Sequence, residues 1–155
     1  EFTHKGDKRN LKFNHKRFEK FKNKIIYKIY KDTPKNLENI NEHDNKESKG
    51  KKLIMNALRR ENGQRDYILE GLKDAEDKDI ILVSDVDEIP KPEKIYEFIK
   101  SNHKYGVFEQ LFFYYKLNML NVTNKFWHGS KICNKKNLKS PDWLREYKTK
   151  QYPWS

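Results

Sequence analysis

The clearest pattern along the chain is Ile80-Ile81-Leu82-Val83, four consecutive apolar residues set between Asp79 and Ser84-Asp85. So short an apolar run bounded by charge predicts a strand buried on both faces, as inside an α/β sheet. Downstream, Ile95, Phe98 and Ile99 recur at i, i+3 and i+4 behind Pro92, which predicts a helix over 92–101 laid on that sheet. Upstream, the β-branched and aromatic run Ile25-Ile26-Tyr27-Lys28-Ile29-Tyr30 predicts another strand, ended by Asp32 and Pro34. Phe18 and Phe21, at helical spacing, predict a short surface helix before it. From 35 to 52 the chain is Asn, Lys and Glu with few apolar positions, and a long mobile loop is expected.

Leu53, Ala57 and Leu58 predict a helical turn or two, interrupted at Asn62-Gly63, and Ile68, Leu69 and Leu72 predict a helix over 64–72. Residues 105–115 and 126–133 are rich in aromatic and β-branched positions and read as strand segments, with a short helix over 141–147. Strands alternating with helices define an α/β domain.

Composition changes this picture little. The chain has 155 residues, enough for one domain with a single core, but only 35% of them are apolar against 37% charged. The core must then lean on the 9 Phe, 9 Tyr and 3 Trp. Cys133 is the one cysteine, so no internal disulfide forms, and it reads as a small buried apolar residue. No apolar run approaches the length of a membrane helix and no signal-like segment is present.

The net charge of +11 raises the question of a nucleic-acid partner. Its distribution argues against one. Residues 1–60 hold 18 Lys and Arg against 8 Asp and Glu, residues 61–130 hold 9 against 13, and residues 131–155 hold 7 against 2. Only 6 of the 34 basic residues are Arg, whereas base readout favours Arg forks; scattered Lys is the composition of a solvated face. Basic flanks around an acidic centre would help to collect an anionic small molecule.

The chemistry lies in that acidic centre. Ligands of α/β sheets bind beyond the carboxyl ends of the strands, where Asp85, Asp87 and Glu88 fall. Asp85 and Asp87 stand at i and i+2, so in an extended chain their oxygens share one face and one hard divalent cation, Mn²⁺ or Mg²⁺. Such an ion is completed by substrate phosphates, which makes a diphosphate or phosphate ester the natural substrate. A plain polar strand end, or a cap for the helix that follows Ile89-Pro90, is the structural alternative, and for Glu88 capping weighs equally with binding metal or orienting a ligand. Two enzyme classes put Asp-x-Asp at a strand end. Haloacid-dehalogenase-type phosphatases carry a hydroxyl residue two positions after the second Asp, where Ile89 stands here. Nucleotide-sugar glycosyltransferases of the GT-A type use the pair to hold Mn²⁺ on the donor diphosphate, which fits better.

An ordered set of short pieces runs along nearly the whole chain. It begins with Thr3-His4-x-Gly6, Lys8-x-x-Leu11-x-Phe13 and Arg17-Phe18, then Gln64-Arg65-x-x-Ile68-Leu69-x-Gly71-Leu72. It continues through Asp79-Ile80-Ile81, Ser84-Asp85-Val86-Asp87-Glu88-Ile89-Pro90-x-Pro92 and Tyr105-Gly106-Val107-Phe108. Phe113-Tyr114-Tyr115-x-Leu117-Asn118, Trp127-x-Gly129, Ser140-Pro141 and Leu144-Arg145 close it. In this order the pieces resemble glycosyltransferase family 17, whose best-known member adds N-acetylglucosamine to the core mannose of N-glycans.

The resemblance implies a GT-A-like nucleotide-sugar-binding domain with a mixed, mainly parallel sheet flanked by helices. It implies an inverting transfer of N-acetylglucosamine from a UDP-sugar to a glycan hydroxyl with metal-assisted loss of UDP. Asp87 would contact the metal directly, with Asp85 on the ribose or a metal-bound water and Glu88 at the catalytic centre; the base is unassigned. Thr3 and His4 would follow a first strand near the uridine, and Gln64 and Arg65 would meet the donor, Arg65 because its fork matches anionic oxygens. Trp127 and His128 would meet the acceptor sugar, a buried core Trp being the structural alternative for the former. In the family a strand would precede Glu1 and a glycine-rich Trp-His segment would follow Ser155, so the domain is expected to be incomplete at both ends. The compartment would be the cytoplasm for a microbial or viral protein and the Golgi lumen for a eukaryotic one, with no membrane anchor in these residues. A metal-dependent Asp-x-Asp phosphatase and a basic polyanion binder stand as the alternatives.

Overall fold

The computed structural model describes residues 7, 8, 10, 13–116 and 118–147, and Thr3 and His4 lie outside them. The chain divides into two compact units, Glu1–Lys73 and Asp74–Ser155.

The first unit is built on polar contacts and stacked aromatic rings. A 3₁₀ helix at His15–Lys24, where a surface helix is predicted, starts on Asn14, whose side chain accepts from the amides of Lys16 and Arg17. Residues 25–30 form no strand: a ladder needs a neighbour as well as β propensity, and Tyr27 instead stacks on Phe13 with ring centroids 4.6 Å apart. The long helix α1, Lys46–Asp66, begins inside the stretch expected to be a loop. Its start is set by Asn45, whose side chain accepts from Ser48 N–H at 2.8 Å, and by Glu47 in the first turn. Helix propensity of the Lys- and Glu-rich stretch, with ion pairs such as Lys52 to Asp44 at 2.7 Å, outweighs its lack of apolar residues. The helix also runs on through Asn62-Gly63, because Gly63 leaves the space in which the Tyr30 ring lies; a Cβ there would stand 2.6 Å from the Tyr30 hydroxyl. A 3₁₀ turn, Tyr67–Gly71, follows, where a helix over 64–72 is predicted.

The second unit holds a three-stranded sheet. Strand β1 is Ile80–Val83, and helix α2, Pro92–Lys100, leads to β2 at Tyr105–Val107. A hairpin follows, β3 at Gln110–Leu111 paired with β4 at Phe126–Trp127. The chain then returns as β5, Lys131–Asn134, and ends in helix α3, Pro141–Glu146, capped by Ser140. The order is β1-β5-β2. This is a mixed α/β arrangement, but the sheet of the described residues is small and its pairings are antiparallel, in place of the mainly parallel sheet expected. The reason is the hairpin. It reverses the chain, so β5 inserts antiparallel between β1 and β2, which themselves run in one direction.

Register sorts the two faces. Ile81, Cys133 and Tyr105 are cross-strand partners, as are Val83, Lys131 and Val107, so all six side chains share one face, which α3 covers with Trp143 against the Tyr105 ring. Leu82, Ile132 and Gly106 share the other, where Phe98 of α2 approaches so closely over Gly106 that a Cβ would lie 3.0 Å from its ring. The core of the unit is Ile81, Val83, Phe108, Ile132, Cys133 and Leu144. Burial pushes the Cys133 thiol up to about 11, as befits an inert packing residue.

Candidate functional site

The chain leaves β1 at Val83 and turns at once. Glu88 N–H donates to Asp85 O at 3.0 Å, and Asp85 N–H returns a bond to Glu88 Oε2 at 3.1 Å. Ser84 Oγ donates to Glu88 O at 2.8 Å and shares a 2.6 Å hydrogen bond with the Ser130 hydroxyl, which ties the turn to the start of β5. Glu88 does not cap α2, whose N-cap is Lys91. Its carboxylate points inward instead.

There it meets Arg145 of α3. The guanidinium donates to both Glu88 oxygens, at 2.8 and 2.6 Å, and to Asp85 Oδ2 at 2.6 Å. Trp127 Nε1–H adds a third bond to the Glu88 carboxylate, at 2.6 Å to Oε1. With the Asp85 amide, four close donors occupy a carboxylate that has about four lone-pair sites, and the Ser130 hydroxyl lies a further 3.4 Å from Oε2. Burial raises the Glu88 pKa, but the Arg145 guanidinium, the Trp127 indole and the Asp85 amide more than offset it, and the carboxyl stays below its ordinary range. The side chains of Glu88 and Arg145 are each 7% exposed, so this is a buried, bidentate ion pair that anchors the turn. Gly129 is required beside it, because a Cβ there would lie 1.9 Å from Glu88 Oε1.

The anchor turns the other acidic residues outward. Asp85 is half exposed and shares one oxygen with Arg145. The Asp87 carboxylate receives no hydrogen bond or ion pair from the described residues and lies exposed between Val86 and Ile89, both also in solvent. The Asp-x-Asp pair therefore divides into one tethered and one free carboxylate. Oxygen donors of this kind suit Mg²⁺ or Mn²⁺, and no group of three or more His, Cys, Asp and Glu gathers around a common point among the described residues. A cation held here would complete its shell from water or from the oxygens of a ligand.

Trp127 is not a core residue. It is about half exposed, with one side against Phe112, ring centroids 5.5 Å apart, and its indole nitrogen on Glu88. His128 is exposed as well, its Nε2 3.2 Å from Glu109 Oε2. Lys131, buried on the face beneath α3, turns its ammonium back to the carbonyls of His128 and Gly129, the latter at 3.1 Å. Desolvation and the neighbouring Arg145 charge lower its pKa to about 8, partly opposed by Glu88.

The structure thus brings together Asp85, Asp87, Glu88, Trp127 and His128. Gln64 and Arg65 belong to α1 in the first unit, where Gln64 is exposed and Arg65 pairs with Glu61 at 2.5 Å. Sequence reasoning gave no role to Arg145, Lys131, Ser130 or Glu109. Arg145 did belong to the Leu144-Arg145 piece of the resemblance, and its being one of only 6 Arg was a further signal. No family model matches the chain, and no curated protein or solved structure is similar enough to it to mark a relationship.

Proposed function

We propose that the second unit carries the donor site of a metal-dependent glycosyltransferase that takes a UDP-sugar, UDP-N-acetylglucosamine foremost, and transfers the sugar to a glycan hydroxyl with inversion. The observation that carries this reading is the division of labour in the turn after β1: a buried Glu88–Arg145 pair fixes the loop, and the Asp87 carboxylate is left free and exposed beyond the carboxyl end of the strand. Asp87, with the untethered oxygen of Asp85, would hold Mn²⁺ or Mg²⁺. When bound, that ion supplies charge neutralisation at the departing diphosphate. The half-exposed Trp127 ring beside the turn offers the apolar face of a pyranose a stacking surface. β1 and β2 run in one direction and are joined through α2, a βαβ connection compatible with part of a nucleotide-sugar-binding sheet of GT-A type. The family 17 resemblance supports the choice of sugar.

Calorimetric titration of UDP-N-acetylglucosamine, with and without Mn²⁺, tests the reading. Binding that needs the metal and disappears in Asp87→Ala is the expected result. A folded, metal-supplied protein that takes up no nucleotide sugar sinks it.

A further inference from the structure

Resting on that reading, the remaining chemical question is which group removes the acceptor proton. Glu88 has no lone pair to spare, and Asp85 gives one oxygen to Arg145. His103, the other described histidine of the second unit, lies in an exposed connection with no side-chain partner among the described residues.

His128 is exposed too, but its segment is held on both sides and its ring has a carboxylate partner. It occupies the short link between β4 and β5, and both ends of the link are fixed to the acidic turn. Trp127 donates to Glu88 on one side, and on the other Ser130 bonds to Ser84 while Gly129 fits with no room for a methyl group against the Glu88 carboxylate. The main chain of the link is held from below by Lys131, a buried lysine in a central strand whose hydrogen bonds go to the His128 and Gly129 carbonyls. A buried ammonium is costly, and here it serves to set one loop. The imidazole itself is oriented by Glu109 through Nε2, while its Nδ1 meets no partner among the described residues, and the side chain is 47% exposed.

We infer that His128 is the general base of the reaction, with Glu109 as its positioning residue. With Nε2–H directed at the Glu109 carboxylate, Nδ1 is the basic nitrogen and is left without a partner among the described residues, open to a substrate proton. The acceptor O–H proton passes to Nδ1, the acceptor oxygen bonds to the anomeric carbon, and the bond from that carbon to the diphosphate oxygen breaks, its electron pair leaving with UDP. Glu109 steadies the imidazolium formed and keeps the tautomer. The imidazolium then returns its proton to solvent.

UDP release from UDP-N-acetylglucosamine, with water as acceptor, reads the step in the full protein supplied with Mn²⁺. His128→Gln is expected to slow release about 10²- to 10⁴-fold, with the UDP dissociation constant and the thermal midpoint unchanged, since the side chain is exposed. Azide, a nucleophile with no proton to lose, should restore release in this variant and form the glycosyl azide. Glu109→Gln should lower kcat by a smaller factor without changing KM for the donor. Unchanged release in His128→Gln overturns the inference, and so does a folded, UDP-binding His128→Gln that azide fails to rescue. If the unmodified protein takes up no UDP, the glycosyl-transfer reading itself falls, a result separable from the other two.

Discussion

The two units of this chain hold themselves together by different means. In the second, six apolar side chains are buried around a three-stranded sheet. In the first, Asn56 is the one buried residue among those described, and Phe21, Ile26, Ile54, Met55 and Leu58 are exposed. What organises the long helix there is polar: Asn56 accepts from Glu38 N–H at 2.7 Å and donates to Glu38 O at 2.9 Å, clamping the preceding loop to α1. The difference teaches that the candidate site is positioned by a packed sheet, whereas the long helix owes its bounds to capping and ion pairs that solvent screens.

The sharpest way to break the comparison is to attack the buried pair of the second unit. Arg145→Met strands the Glu88 carboxylate without its counter-charge and should cost about 3–5 kcal/mol, measured by denaturant unfolding. A loss well under that would mean that water reaches Glu88 freely. Next in size, Leu144→Ala should cost about 2–5 kcal/mol while Ile54→Ala in α1 stays within about 0.5 kcal/mol. Equal losses at the two positions would erase the distinction between the units.

A pH experiment sharpens it further. Lys131 titrates at about 8 in the fold against an ordinary 10.5. Between those values the unfolded chain binds more protons than the folded one, so this group makes stability rise with pH over that window. Cys133, raised from 9.0 to about 11, works in the opposite sense across its own window, because there the folded chain holds the extra proton. The difference between unmodified protein and Lys131→Met isolates the lysine contribution, on the order of 3 kcal/mol at most, and a difference that stays flat with pH would refute it. The smallest effect belongs to the first unit. Asn56→Ala should cost about 1–2 kcal/mol for its two hydrogen bonds, with the loss of ordered helix readable by circular dichroism.

The elements legible in the sequence are those whose signal is local. The apolar run of β1, the Pro-headed stripe of α2 and the Ser140-Pro141 start of α3 all stand where the pattern put them, because burial on a strand and the opening of a helix leave their marks within a few residues. Ile25 to Tyr30 carried the same kind of mark and formed no strand, since a ladder needs a partner that no local pattern supplies. Polar capping and i, i+4 pairs such as Lys51 with Glu47 made a helix from Lys46 onward where apolar spacing gave no warning.

For the site, the sequence by itself determined that acidic side chains crowd the end of an apolar strand; that strand is buried on one face only, with Leu82 exposed on the other, instead of on both faces as its unbroken apolar run predicts. Which of the acidic side chains is free was decided by tertiary structure alone. Asp87 and Glu88 are neighbours of the same charge, and their fates differ because Arg145, 57 residues further on, reaches Glu88 from α3. Trp127 and Gly129 close the same pocket of contacts from the return into β5. A buried ion pair is a meeting of distant segments, and each of its members, read alone, is an ordinary charged residue.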